Sequence, residues 1–514
     1  MRRDALLIGL VLVALLLGAW LRTNGAERRW VWQDETVTLM HVAGRTGPDV
    51  DASRPTTFGA LAATARDPAP GGPARVTTAL AEEDAQHPPL YYLGQRYWND
   101  AGGAALGRRS FSIAMGALAV LAIAWFAFVL GGARAAAFAF AFAAVSPFLV
   151  LYGQQMREYG LWCAFIAASS ALLVLAAKAD SKARSIALWA AYAAATAGAL
   201  WTSPLSLLLA PAHAIYAVYA GGPRRILQFA LAYAVALLAF APWAAIIYAK
   251  RTQIAAENAW SATPYSPLAL AAKLLFTAAS AFTDLAYANR IGVVAGAIAL
   301  LAAAAAAVFL ARKERAAAVA LGAIAVSTAL LPFVADIVSG THRSSSSRYL
   351  CPLVIAIVVA VACALARAPR RFGVAAGAAL VLLAAFSSAL GTSSPVWWDN
   401  HGDSGTIAVA TSLSRAGDPP VLYEGPCAGV LGLALISVAA EPLRCGPTAA
   451  GAIPTAGTYV ISPSAALEER ARAAKLRVVP VTVGRDASDA VRAFRGDTGS
   501  GGADQVLARI ERIP

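Results

Sequence analysis

Charged side chains are scarce in this sequence. Asp, Glu, Lys and Arg together make up 14% of 514 residues while 59% are hydrophobic, a balance too apolar for a soluble fold of this size. Dense basic runs are missing as well. The 42 Lys and Arg exceed the 29 Asp and Glu, for a net charge of +13, but they come as small clusters between apolar stretches, which argues against a nucleic-acid partner and for helix orientation in a membrane. Acids are nearly absent from the centres of the apolar stretches, which weighs against a transporter or lipid flippase working through buried intramembrane charges. There is no Gly-rich phosphate loop with its Lys, no convincing nucleotide-sugar module and no metal-ligand cluster. A resident cofactor is therefore not assigned, although a divalent metal stays possible. Repeats of about 20–50 residues are also missing.

What is present is a series of apolar runs. Crossing about 30 Å of hydrocarbon takes roughly 20 apolar residues in a helix, and eleven stretches approach that length: 5–21, 111–131, 135–152, 159–177, 185–201, 204–220, 226–248, 291–311, 316–335, 350–366 and 372–391. The first could be a cleaved signal peptide, yet no clear small-x-small site precedes Glu27, and the reading adopted is a retained helix. With the N-terminus inside, the alternate connections carry Arg2/Arg3, Arg134, Lys178/Lys182/Arg184, Arg224/Arg225, Arg312/Lys313/Arg315 and Arg367/Arg370/Arg371, so every inner segment is basic. The opposite connections, 22–110, 153–158, 202–203, 249–290 and 336–349, lie outside with the tail from 392. Residues 267–288, interrupted by Lys273 and Asp284, read as an amphipathic helix on the outer surface. The localisation implied is multi-pass in an inner, plasma membrane, with the polar working surfaces on the periplasmic or extracellular side.

Two domains follow. Residues 1–391 form the membrane domain, with outer loop 22–110, and 392–514 form a small extracytoplasmic α/β domain. In the tail, 420–424, 458–462 and 476–483 read as strands and 427–440 and 465–474 as helices. Of five Cys, Cys163, Cys351 and Cys363 sit in or beside apolar spans as small core residues. Cys427 and Cys445 lie in the polar tail, where an oxidising compartment would allow a disulfide without requiring one.

Four polar constellations fall on the outer side. Trp30-Val31-Trp32-Gln33-Asp34-Glu35 puts two acids just after the first helix, either a general base and its neighbour or a solvated acid pair. His87-Pro88-Pro89 is followed by Leu90-Tyr91-Tyr92 and Gln95-Arg96-Tyr97-Trp98; a His held extended before Pro is more often structural. Ser146-Pro147 and Tyr152 through Tyr159 bracket Arg157-Glu158, a functional cation at membrane depth or a plain ion pair. His342-Arg343 and a run of Ser precede Arg348-Tyr349, suited to a phosphate by bidentate bonds, or else a flexible loop with a snorkelling Arg. Each set is weak alone, and their coincidence on one face is the stronger argument.

With Gly107-Arg108-Arg109-Ser110 opening the second helix and Arg348-Tyr349-Leu350-Cys351-Pro352 the tenth, the order of these motifs over roughly residues 1–390 resembles the GT-C class of membrane glycosyltransferases. The likeness is to the bacterial dolichyl-phosphate-mannose-protein mannosyltransferase-like family, which includes the aminoarabinose transferases. The resemblance implies an α-helical polytopic fold of about eleven transmembrane helices. It also implies sugar transfer from a polyprenyl-phosphate-sugar donor, drawn from the membrane lipid, to an unknown acceptor. In that scheme Asp34 is the base, Glu35 supports it, transfer inverts the anomeric carbon, and Arg109, Arg157 and Arg348 hold the donor phosphate. His87, Tyr159 and Tyr349 shape the pocket. The phosphate is already an adequate leaving group, so no second carboxylic acid is needed. An inactive member serving as a scaffold would not need both the acids and the arginines.

Overall fold

The computed structural model describes residues 5–29, 31–284, 290–393, 404–417, 419–436, 442–446, 449, 451–481 and 507–513. Trp30, residues 285–288 of the surface segment, 437–440 of the first tail helix and 482–483 of the last strand read above lie outside these. The chain divides into two compact bodies, Met1–Ala26 with Asp84–Ser393, and Glu27–Glu83 with Ser394–Pro514.

The first body is helical. Its long elements are α1 (Ala5–Thr23), α7 (Ser110–Gly131), α8 (Ala133–Val145), α9 (Pro147–Gln154), α10 (Tyr159–Ala177), α11 (Lys182–Thr202), α12 (Leu209–Ala249), α15 (Arg290–Lys313), α16 (Arg315–Ser339), α17 (Cys351–Arg367) and α18 (Arg370–Ser393). The shorter α6 (Leu90–Asp100), α13 (Arg251–Glu257) and α14 (Pro267–Ala279) connect them. Along α1, Leu7, Ala14, Gly18 and Leu21 are buried while Leu6, Ile8, Leu12 and Leu16 are exposed, a helical stripe facing the bundle with apolar residues on the far side too. Exposed Leu227, Leu238, Leu301, Val338 and Leu382 continue that apolar coat. Water would not tolerate so much of it, and lipid does.

The eleven apolar stretches all fall on helices, but not one to one. Among the described residues eight helices are long and apolar enough to cross a membrane, or nine if the bent pair α8 and α9, which meet at 59°, is one span. Two causes lower the count. Helix α11 is diluted by Ser185, Trp189, Tyr192 and Thr196, and the stretches 204–220 and 226–248 fall in one continuous element from Pro204 to Ala249 of 46 residues. At about 1.5 Å per residue it would exceed twice the hydrocarbon thickness. The helical path is interrupted at Gly221 and Gly222, the latter at φ 58°, a backbone region that glycine enters without penalty.

The second body joins residues 27–83, from the first long loop, to the tail. Four short helices, α2 (Gln33–Val42), α3 (Gly47–Ala52), α4 (Phe58–Arg66) and α5 (Gly72–Glu83), pack with α19 (Ser404–Arg415), α20 (Leu431–Ile436), α21 (Ala465–Ala473) and a sheet. The sheet runs in the order β2 (Leu443–Cys445), β1 (Val421–Tyr423), β3 (Tyr459–Ile461), β5 (Leu507–Arg512), β4 (Leu476–Pro480). β1 is parallel to β2 and β3, and β5 is antiparallel to β3 and β4. Leu422, Val460, Leu467, Leu476 and Ile510 form its core beneath α21. Backbone bonds tie loop to tail: Leu443 N–H donates to the Thr56 carbonyl at 2.7 Å, and Ala428 N–H to Asp51 Oδ1 at 3.3 Å.

Cys427 and Cys445 are bonded, closing a sequence separation of 18 residues between the turn that precedes α20 and strand β2. A loop of that size restricts the unfolded chain by about 3 kcal/mol. Cys427→Ser with Cys445→Ser is therefore expected to lower the urea midpoint of this body, read by limited proteolysis of sites in the tail. An unchanged midpoint would mean that the bond adds nothing to stability.

Candidate functional site

The two sequence-selected acids sit at the start of α2. Both Asp34 and Glu35 occupy its first turn, where the positive end of the helix dipole favours carboxylates. Glu35 is 1% exposed and Asp34 half-buried. Behind them, Thr38 Oγ1 donates to the Asp34 carbonyl at 2.8 Å, and buried His41 meets Glu83 at 3.1 Å. Glu83 also accepts the Gly47 N–H at 3.0 Å, so one carboxylate fastens α2 to the start of α3. The helix that carries Asp34 is thus held from its far end.

In the helical body the structure gathers His87, Arg157 and Tyr159, three of the sequence candidates, with Tyr92 and Glu158 from the same motifs, and adds Asp84. Arg157 Nη1 donates to the Tyr92 hydroxyl at 3.2 Å, Nη2 to His87 Nε2 at 2.9 Å, and Nε lies 3.4 Å from Glu158 Oε2. His87 Nδ1 is 3.1 Å from Glu158 Oε1, and its Nε2 is 3.8 Å from Asp84 Oδ1. The Arg157 guanidinium also stands 6.0 Å from the Tyr159 ring centroid, and that ring packs edge-on against Tyr152. Arg157 and Glu158 are thus paired directly and also through the His87 ring.

Arg109 and Arg348 occupy other positions. Arg109, 2% exposed, precedes α7 and donates to the Ala26 carbonyl, in the short turn that follows α1. Arg348 is half-buried before α17 and lies 5.5 Å from the Tyr349 ring centroid. The Ser run leading to it is not a slack loop. Asp336 Oδ1 accepts the Arg343 N–H at 3.0 Å and Oδ2 the Ser344 N–H at 2.6 Å, while Ser347 Oγ meets Thr277 Oγ1 at 2.7 Å. Two short turns, Arg343–Ser345 and Ser347–Leu350, are pinned at both ends and deliver Arg348 to the mouth of α17.

Asp84 escaped the sequence reading because nothing marks it apart from the acids around it. The turn at His87, whose N–H donates to the Asp84 carbonyl at 3.0 Å, brings Asp84 back. Among the described residues no group of three or more His, Cys, Asp or Glu is placed to hold a metal ion.

The cluster has a pH signature. For Glu158, burial raises the pKa, but Arg157 and His87 outweigh it and hold the carboxyl down to about 2. For His87, burial lowers the pKa and so does Arg157, while Asp84 and Glu158 outweigh them and leave it above 6.5. A depressed acid stabilises the fold above its ordinary value of 4.5 and loses that contribution as pH falls toward 2. A raised His stabilises below 6.5 and loses the contribution as pH rises through its shifted value. Thermal stability in detergent should thus fall on the alkaline side of 6.5, and His87→Gln should flatten that limb; equal slopes in both proteins would contradict the assignment.

No protein-family model matches the chain, and no curated protein matches it in sequence. Solved structures do match in fold. ArnT from Cupriavidus metallidurans in the apo state superposes with a TM-score of 0.57 at 16% identity, covering 99% of this chain and 98% of that one. The same protein bound to undecaprenyl phosphate gives 0.55 at 15% identity over 98% of each chain. A looser likeness, TM-score 0.46 at 14% identity, links 86% of the chain to 63% of the Archaeoglobus fulgidus oligosaccharyltransferase. Over nearly its whole length, tail included, the chain has the fold of ArnT, a GT-C membrane glycosyltransferase.

Proposed function

We propose that this protein transfers a sugar from a polyprenyl-phosphate-linked donor to a lipid, glycan or protein acceptor at the outer face of an inner membrane. The observation that carries the reading is the full-length likeness to ArnT, a fold that has been solved holding undecaprenyl phosphate. The residues present suit that chemistry. Asp34 is the base that takes the proton from the acceptor hydroxyl as it attacks the anomeric carbon, and Glu35 supports it. The carbon–oxygen bond to phosphate breaks on the opposite side, which inverts the configuration. The departing phosphate takes up negative charge, which Arg348, Arg157 and Arg109 are suited to offset. His87, Tyr159 and Tyr349 line the pocket in this scheme.

Eleven crossings with the N-terminus inside, the break at Gly221 and Gly222 separating two of them, would put every basic connection inside. Residues 1–391 then hold the transferase domain and 392–514 an outer domain that packs with part of the first loop. The disulfide between Cys427 and Cys445 fits an oxidising outer compartment. Mass spectrometry of envelope glycolipids, glycans and proteins from cells with and without the chain tests the proposal. A product lacking one sugar in its absence supports it and names the acceptor. An unchanged inventory, together with transport of a labelled polyprenyl phosphate sugar by the purified protein in liposomes, would replace it with a flippase.

A further inference from the structure

Arg22 lies in the last turn of α1 and is 4% exposed. Its hydrogen bonds among the described residues go to backbone carbonyls: Nη1 to Gly18 at 3.2 Å and to Ala144, and Nη2 to Ala143 at 3.1 Å. A guanidinium spent on two successive carbonyls of another helix calls for a reason, and Pro147 supplies it. In an unbroken helix the Ala143 carbonyl would accept from the N–H of residue 147, which Pro does not have. The Ala144 carbonyl would accept from Phe148, whose N–H donates instead to the Ser280 carbonyl at 3.2 Å. Leu149 N–H likewise turns to Ser146 Oγ, so the break between α8 and α9 orphans the carbonyls of Ala143, Ala144 and Val145 inside an apolar bundle, where unmet backbone groups are costly. The planar fork of Arg22 reaches the first two, and Ser388 Oγ takes the third, Val145, at 2.7 Å.

The favour is returned at the other end of α9. Gln154 Nε2 donates to the Leu21 carbonyl at 2.8 Å and the Arg22 carbonyl at 2.9 Å, groups that the end of α1 leaves open. Close backbone packing permits the exchange. A Cβ on Gly18 would stand 2.6 Å from the Ala144 oxygen, one on Gly153 3.6 Å from Arg22 Nε, and one on Gly116 2.9 Å from the Gly153 Cα. Directly beyond Gln154 comes the turn that carries Arg157 and Glu158, tightened by the Arg157 N–H to Gln155 carbonyl bond at 2.7 Å.

We propose that Arg22 and Gln154 form a reciprocal cap that fixes the broken span, so that Arg22 is a positioning residue for Arg157 and hence for the donor phosphate. The inference rests on the proposed donor, and it is tested on the full chain in nanodiscs with undecaprenyl phosphate as the probe. Arg22→Lys keeps the charge but loses the fork. It should weaken undecaprenyl phosphate binding and raise the KM for the sugar-loaded donor, each by about tenfold to a hundredfold, the scale of a small misplacement, with a much smaller change in kcat. Pro147→Ala returns an N–H to the Ala143 carbonyl. Added to Arg22→Gln, it should recover thermal stability without recovering donor binding, because the break it removes is what aims Arg157.

A folded Arg22→Lys protein that binds undecaprenyl phosphate as the wild type does would overturn the positioning role. If that variant does not fold, Gln154→Leu removes the other half of the cap and carries the same two outcomes. Wild-type protein that binds no undecaprenyl phosphate would instead sink the donor assignment, and the presence or absence of stability rescue by Pro147→Ala would still decide whether the cap exists.

Discussion

Asp34→Asn is expected to lower kcat by about 10²–10⁴-fold, the usual contribution of a positioned general base, with the protein inserted and folded as before. Asn keeps the size and most of the hydrogen-bonding shape of Asp but cannot accept the acceptor's proton at neutral pH. The fold has little to lose, since Asp34 is half-buried in the first turn of α2 and a lost helix-dipole interaction there costs about 0.3–1 kcal/mol. Glu35→Gln provides the contrast. Glu35 is buried, so its replacement should act mainly on stability, and any loss of rate should follow the loss of folded protein. Turnover of a purified polyprenyl-phosphate-sugar donor, normalised to folded enzyme, separates the two. Normal kcat in a well-expressed Asp34→Asn protein would remove Asp34 from the chemistry.

The helical body was legible in the sequence because lipid imposes a strong local rule. A run of about 20 apolar residues is both necessary and visible, so every stretch from 5–21 to 372–391 falls on a helix. Where the reading and the structure part, the cause is local too. Gly221 and Gly222 interrupt the helical path without ending the element, and Ser146-Pro147, correctly marked as a feature, bends a span by 59°. The tail strands β1, β3 and β4 were visible as short apolar runs, whereas β2 is three residues long and β5 gains its meaning from antiparallel partners far off in the chain. Pairing of the first loop with the tail, as between Thr57 and Pro442, leaves no trace in periodicity at all. The same distinction holds at the candidate site. Residue type and a neighbouring proline singled out His87, and Arg157 with Glu158 stood out as charges at membrane depth. Arg22 did not, because its role is defined by carbonyls that a proline elsewhere leaves open.

The Arg348→Ala variant is expected to lose about 10²–10³-fold in kcat/KM, the cost of removing one donor aimed at developing charge. The three arginines differ in exposure, Arg109 and Arg157 being buried and Arg348 half-buried. Arg157 meets Tyr92, His87 and Glu158, and Arg109 reaches back to the Ala26 carbonyl just past α1. Arg348 is half-buried at the mouth of α17, on turns that Asp336 and Thr277 hold in place. A cation prepositioned there spends little conformational entropy on meeting a phosphate. Arg348→Lys keeps the charge but not the two parallel donors, so it should fall between wild type and Ala. Arg157→Gln should differ in kind. It leaves Glu158 and Asp84 facing His87 with less positive charge nearby, and it should cost thermal stability along with rate. Steady-state kinetics against donor concentration, paired with a melting curve for each variant, reads both effects. Equal kcat/KM in wild type and folded Arg348→Ala would mean that the departing phosphate is met by other groups, and would leave the pinned Ser turns without a catalytic purpose.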